Sequence, residues 1–311
     1  LMLETKNVDS ILAKLEEEIK SEQKGLEQTE ALARVKEVAR VYAGEDKVIP
    51  FSDIVARLST SEDELKIMSG WSGLDDLLKG FRLQQLIVVS AQTASGKTSF
   101  LMDMTTRLKD YNPLWFPFEE SSDELVRKFK ERGQEPPHAY TPENMTASTI
   151  DWLESKIVEA IAKYDSKIVF IDQLDFIVPF LGDNHHLNVA KTMRDLKGLA
   201  KKWNVVIFII CHLSKVKMDA QPTMEDLRGS AAIGQDSDTV LLLWRETTRV
   251  DGQVVITDNV NVSVQKNRRH GKTGNVKMIY DNGKFIEQEW KTDAQQAKED
   301  FASFEGVPTK K

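Results

Sequence analysis

The sequence predicts an α/β fold, a mostly parallel central sheet covered by helices on both faces and preceded by an N-terminal helical segment. Three observations predict it. Short apolar runs recur at 86–90, 114–118, 168–171, 205–210 and 240–244. Patterns of helical period at 150–163 and 188–203 separate several of them. Runs this uniformly apolar are strands buried on both faces, which requires covering helices and parallel crossovers. The third observation is a strand, tight loop and helix start at 86–99 carrying Gly96-Lys97-Thr98.

Taken in order, residues 1–45 are charged and free of proline, with Val8, Leu12, Leu15 and Ile19 on one helical stripe. Glu16, Glu17, Glu18 and Lys20 face away from it. The stripe needs a partner surface, either this domain or another subunit, and periodicity does not choose between them. Pro50 breaks the pattern. Residues 51–58 then read as a second amphipathic helix with Ser52 as N-cap and Ile54, Val55 and Leu58 as its apolar face. Glu62-Asp63-Glu64 forms a polar boundary before the sheet begins. After the last apolar run, 254–257 and 261–265 read as a hairpin around Asp258-Asn259. The chain beyond Trp290 is a polar tail. The expected division is 1–62 for the helical segment and linker helix, 63–290 for the sheet domain and 291–311 for the tail.

Composition narrows the function classes. With 41% hydrophobic residues over 311, the chain can bury a sizeable core. No stretch approaches the roughly 18 apolar residues a membrane helix needs. The start at Leu1 lacks a secretory pattern and suggests a fragment. The single Cys211 cannot form an internal disulfide, lies in an apolar run and fits a reducing cytoplasm. His185-His186 are neighbours without metal-ligand spacing. The net charge of −7 argues against coating DNA with the whole surface, yet 263–277 carries Lys266, Arg268, Arg269, Lys272 and Lys277 without an acid.

The strongest local signal is Ala91-Gln92-Thr93-Ala94-Ser95-Gly96-Lys97-Thr98, followed by Ser99. A strand feeding a tight loop and a helix aims backbone N–H groups and a helix N-terminus at one point, which suits phosphate. Gly96 permits close backbone approach, Lys97 reaches the terminal phosphates and Thr98 offers a hydroxyl to Mg²⁺. The general pattern opens on glycine, where Ala91 stands here. The strand ending in Asp172 supplies a carboxylate to hold the same ion. Glu119 and Glu120 end the run 114–118, at the edge where ligands meet such sheets. Position favours Glu119 as the base that orients water and leaves Glu120 solvated; alternatively both cap the helix beginning near Ser121.

These residues, in this order, resemble DnaB-type replicative helicases. Trp71-Ser72-Gly73-Leu74-Asp75-Asp76-Leu77-Leu78, the alanine-headed loop, Glu119 and Asp172 carry the resemblance. So do Ile210-Cys211-His212-Leu213, Asp226-Leu227-Arg228-Gly229-Ser230 and Lys266-Asn267-Arg268. It covers about 51–289 and extends to the helicase half of phage primase-helicases. The resemblance implies a RecA-like P-loop core in a hexameric ring around single-stranded DNA, with ATP and Mg²⁺ between subunits. Lys97, Thr98 and Asp172 would hold nucleotide and metal, Glu119 would be the base, His212 would sense the γ-phosphate and Tyr280 would stack on adenine. Lys266 and Arg268 match a pair reaching into the neighbour's ATP. DNA contacts are implied near 182–188 and on 215–233, through Lys215, Lys217, Arg228, Gly229 and Ser230. Ala231 stands where the family often has glycine. A primase or loader is an implied partner, in a bacterial or phage-infected cell. Family members also carry a larger N-terminal domain than the fifty or so residues here, and the helix at 51–58 matches the linker helix that packs on an adjacent subunit.

Two rival functions share these features: a RecA-like recombinase, separable by strand exchange, and a non-motor ATP-binding switch. The Lys266-Asn267-Arg268 segment and the 226–230 loop favour the helicase over the first. Intact Lys97, Asp172, Glu119 and Arg268 favour it over the second.

Overall fold

Charged, proline-free sequence with one apolar stripe forms α1 (Met2–Glu22) and α2 (Leu26–Tyr42). The computed structural model describes residues 2–22, 26–42, 48–60, 65–92, 95–133, 135–179, 185–213, 220–227, 229–250 and 253–290. In it the stripe is covered by the chain itself. Leu12, Leu15, Ile19, Ala31, Val35 and Val38 are buried in one cluster with Leu153, Ile157 and Val158. Arg34 Nε donates to the Ala162 carbonyl at 3.4 Å, and Lys163 pairs with Glu18 at 2.7 Å across the same seam. Leu15→Ala should therefore cost about 2–5 kcal/mol in urea denaturation. A midpoint unchanged from wild type would show that the stripe serves something other than this core.

α3 (Phe51–Thr60) starts directly after Pro50, whose carbonyl accepts from Asp53 N. It begins one residue before the expected cap, so Ser52 lies inside the first turn, its hydroxyl 3.5 Å from Asp53 Oδ1. Phe51 and Val55 are exposed, and the Leu58 side chain lies outside the described residues. β1 (Lys66–Ile67) pairs antiparallel with β2 (Phe81–Arg82) around α4 (Ser72–Leu78). The N-terminus of α4 is capped from the far end of the chain: Glu287 accepts from Ser72 N at 2.7 Å and Gly73 N at 2.6 Å.

The main sheet follows. In chain order come β3 (Leu86–Ala91), α5 (Lys97–Arg107), β4 (Leu114–Pro117), α6 (Ser122–Glu131), α7 (Ile150–Tyr164) and β5 (Ile168–Asp172). Then come α8 (His185–Lys202), β6 (Val206–His212), α9 (Ser230–Asp236), β7 (Thr239–Val250), β8 (Gln253–Asn267), β9 (Gly274–Asp281) and β10 (Lys284–Glu287). Spatial order is β10-β9-β8-β7-β3-β6-β5-β4. The strands from β7 to β4 run parallel; β7–β8, β8–β9 and β9–β10 are antiparallel. Alternation splits the core as a two-faced sheet demands. Val88, Ile207 and Ile209 pack against α7 and α8, whereas Ile87, Val89 and Phe208 pack against α4, α5 and α6.

The expected hairpin at Asp258-Asn259 is not formed there. β7 runs out to Val250 and β8 returns from Gln253, so Asp258 and Asn259 lie inside one long strand, beside a register shift between Arg245 and Thr247. Thr257 Oγ1 donates to the Glu246 carbonyl at 2.9 Å, Asn261 Nδ2 donates to the Glu246 carboxylate at 3.1 Å, and Arg245 pairs with Asp258. Residues that favour turns are absorbed by a bulge once partners across the ladder satisfy them.

Candidate nucleotide site and a distant cation pair

β3 delivers the phosphate loop and α5 leaves it. Gly96 is the N-cap of α5 at φ 83°, a left-handed conformation that glycine adopts without penalty. The eleven-residue helix then starts at Lys97, its free N–H groups facing the loop. Ala91 and Ser95 are buried; Thr93 and Ala94 lie outside the described residues. Thr98 Oγ1 donates to Asp172 Oδ2 at 2.8 Å, joining the start of α5 to the end of β5.

Asp172 is 2% exposed. Burial pushes its carboxyl up to about 6; the Thr98 hydrogen bond opposes this, Glu119 and Glu120 add to it, and Lys97 counteracts. Asp172 Oδ1, Gln173 Oε1 and Glu120 Oε1 are buried with no hydrogen-bond partner. Unsatisfied oxygens gathered at the ends of β4 and β5 suit a hard cation. No group of three or more His, Cys, Asp or Glu among the described residues could hold a metal alone. The Thr98 hydroxyl beside Asp172, whose Oδ1 is unsatisfied, fits Mg²⁺, which takes few protein ligands and fills its shell with phosphate oxygens and water. The raised pKa has a consequence for the metal-free protein. Between pH 7 and 4 the folded state takes up a proton before the unfolded state does, so stability gains as pH falls through about 6. Urea midpoints at pH 7 and 5 should show this gain in wild type and lose part of it in Asp172→Asn; equal pH responses would refute it.

Glu119 N donates to the Asp172 carbonyl at 3.1 Å, setting the two strand ends side by side. The Glu119 side chain is exposed and interacts electrostatically with Lys97 and Asp172. Glu120 is not the solvated one: it is half-buried and ion-paired with Lys128 of α6. Neither caps α6, because Ser121 Oγ accepts from Glu124 N at 3.1 Å. Burial draws the Lys97 pKa down while Glu119 and Asp172 hold it up.

β3–β6 pairing sets His212 opposite Ala91, at the base of the phosphate loop. Gln92 Nε2 donates to the Ala220 carbonyl at 2.8 Å, so this loop touches the segment following β6. Tyr280 packs on Phe285, whose ring lies 3.6 Å from where a Gly96 Cβ would stand. Sequence reasoning missed three residues here. Arg245 lies over the Tyr280 ring at 5.2 Å, Arg132 Nη2 donates to Ser99 Oγ at 2.9 Å, and Gln173 adds its buried oxygen. Arg245 and Arg132 belong to no local motif, since they reach the site from other elements; Gln173 directly follows Asp172 at the end of β5.

Lys266 and Arg268 are not beside this loop. They sit at the opposite end of the sheet, where β8 ends next to the start of β7 and β3. Lys266 Nζ donates to the carbonyls of Gly234 and Ser237, and Arg268 to that of Gln235, all at the last turn of α9. Of the expected DNA contacts, Lys215, Lys217, Arg228 and the Ser230 side chain lie outside the described residues. Gly229 caps α9 at φ 87°, packed on Val189 of α8. A groove of about 500 Å³ between the starts of α8 and α9 is lined by His186, Leu187, Leu227, Gly229 and Ala231.

Comparison with known proteins bears on this arrangement directly. The family described as the DnaB-like helicase C-terminal domain matches residues 66–135 and 137–287. The chain belongs to that family. This DnaB-like domain is 27% identical over 266 residues to the replicative DNA helicase DnaB of Mycoplasma genitalium, covering 71% of the chain and 56% of the relative. It is 24% identical over 291 residues to the replicative DNA helicase DnaC of Bacillus subtilis, covering 80% and 62%. The DnaB-like domain thus spans a little over half the length of these relatives. Its fold matches a solved structure described as an ATPase domain at a TM-score of 0.65 and 19% identity, covering 78% of this chain and all of that one. A DnaB-like replicative helicase described with its primase interactions matches at 0.65 and 18%, covering 85% and 77%. These likenesses establish the RecA-like α/β fold. Cys211 is buried, which pushes its thiol up, and no described helix is long and apolar enough to cross a membrane.

Proposed function

We propose that the chain is the motor of an ATP-driven replicative DNA helicase, acting as a hexameric ring that moves along single-stranded DNA and unwinds duplex. Lys97, Thr98, Ser99 and the loop from Ala91 hold ATP, Thr98 and Asp172 hold Mg²⁺, and Glu119 orients the attacking water. His212 senses the γ-phosphate and Tyr280 meets the adenine. Bound Mg²⁺ neutralises phosphate charge.

The observation that carries this reading is the separation of Lys266 and Arg268 from their own phosphate loop. The six-residue β3, about 20 Å long, lies between them. A cation stabilising the γ-phosphoryl group must touch it, so this pair serves another subunit. A surface that gives at one end and receives at the other makes a head-to-tail contact, which closes into a ring or runs on as a filament. The exposed Phe51 and Val55 of α3 suit a linker helix resting on an adjacent subunit. The segments after β5 and β6, with Lys215, Lys217, Arg228, Gly229 and Ser230, grip phosphates without sequence preference. Primase or a loader is the expected partner, the bacterial or phage-infected cytoplasm the expected compartment, and 1–62, 63–290 and 291–311 the functional division.

ATP hydrolysis with and without single-stranded DNA, with mass from light scattering in the same buffer, tests the proposal. DNA-stimulated turnover by a species near six subunits is expected. A monomer that binds nucleotide without turning it over would overturn it.

A further inference from the structure

Asp238, just before β7, ties three elements to the end of β8. Its N–H donates to the Leu86 carbonyl at 2.8 Å, and its carbonyl accepts from Arg268 N at 2.9 Å. Its Oδ2 accepts from Leu86 N at 2.7 Å and from Lys197 Nζ of α8 at 2.5 Å. Its Oδ1 lies 3.7 Å from Arg268 Nη1. Asp238 is buried, whereas the Arg268 side chain is half-exposed. The guanidinium is thus held on one side, by a carboxylate and the Gln235 carbonyl, and open to solvent on the other. Lys197 fixes the carboxylate by occupying its second oxygen, and the orphan carbonyls of the last turn of α9 favour the adjacent cations. Backbone pairing alone would anchor the strand end; the charged carboxylate adds a fixed direction for a side chain that otherwise samples many rotamers.

We propose that Asp238 is the positioning residue for Arg268, aiming its guanidinium outward to the nucleotide of a neighbouring subunit. This rests on the trans role of Arg268 proposed above. Without the carboxylate the guanidinium is still present but no longer preorganised, and transition-state contacts suffer more from misplacement than nucleotide binding does.

The test uses Asp238→Asn in the full chain. Asparagine keeps both backbone bonds and an acceptor for Leu86 N while removing the charge. kcat should fall by up to about 10²-fold, the scale of a misplacement of about 1 Å. KM, affinity for a fluorescent ATP analogue and assembly mass should stay unchanged. Mixing with Lys97→Ala subunits, which keep an intact Asp238–Arg268 pair, should restore turnover at the Asp238→Asn phosphate loops. A defect of folding is not repaired by mixing, so loss of kcat without rescue would overturn the inference. Arg268→Ala runs in parallel. If it is impaired and rescued while Asp238→Asn keeps full kcat, the positioning role fails and the trans role stands. If Arg268→Ala hydrolyses at the wild-type rate, both fail.

Discussion

Lys97→Ala is expected to abolish ATP turnover. Lys97 opens α5 at the mouth of the phosphate loop and shares its surroundings with Glu119 and Asp172. Burial disfavours its charge, and the two acids oppose that effect. Without it the acids at the ends of β4 and β5 confront an incoming polyphosphate while Lys128 and Arg132 stay tied to Glu120 and Ser99, so binding and chemistry should both suffer. Removing a single preorganised charge at such a site costs about 10²–10³-fold in rate, before any loss of affinity. Steady-state phosphate release, with nucleotide affinity measured separately, checks this. Turnover near wild type would show that the Gly96-Lys97-Thr98 segment is not the catalytic phosphate loop.

Arg268→Ala should separate binding from hydrolysis. Its side chain is at the other end of the sheet from the phosphate loop it is covalently joined to, so nucleotide affinity should hold while turnover falls by about 10³–10⁵-fold. Lys266 remains nearby and does not substitute. Burial and the adjacent Arg268 lower its pKa, its ammonium is already bound to the Gly234 and Ser237 carbonyls, and a point charge lacks the planar two-pronged donor set of a guanidinium. Equal loss of binding and rate would place Arg268 in its own subunit's site. Unchanged hydrolysis would remove it from the chemistry.

Much of this was legible in the sequence because it is local. The 91–99 loop is contiguous, and five strands announce themselves by apolar runs bounded by polar residues. The family resemblance rested on short motifs in order, and the match over 66–135 and 137–287 bears it out. Errors arose where one segment's meaning depended on a distant one. Asp258-Asn259 has the composition of a turn, and only Arg245 and Glu246 across the ladder make it a bulge. The 263–277 stretch contains no acid, yet Asp238 and Asp76 arrive from elsewhere to pair with Arg268 and Lys272. Glu119 and Glu120 are adjacent and alike in sequence; the pairing of Glu120 with Lys128 is what distinguishes them.

By itself, then, the sequence determined the fold class and the family and marked the candidate phosphate loop, since hydrophobic period and a contiguous motif are properties of neighbouring residues. Tertiary structure alone decided which surface covers α1, where the β7–β8 chain reverses, and that Lys266 and Arg268 stand a full strand length from their own loop. Those depend on strand order and register, and a register is chosen by the partners across the sheet, which no stretch of sequence carries within itself.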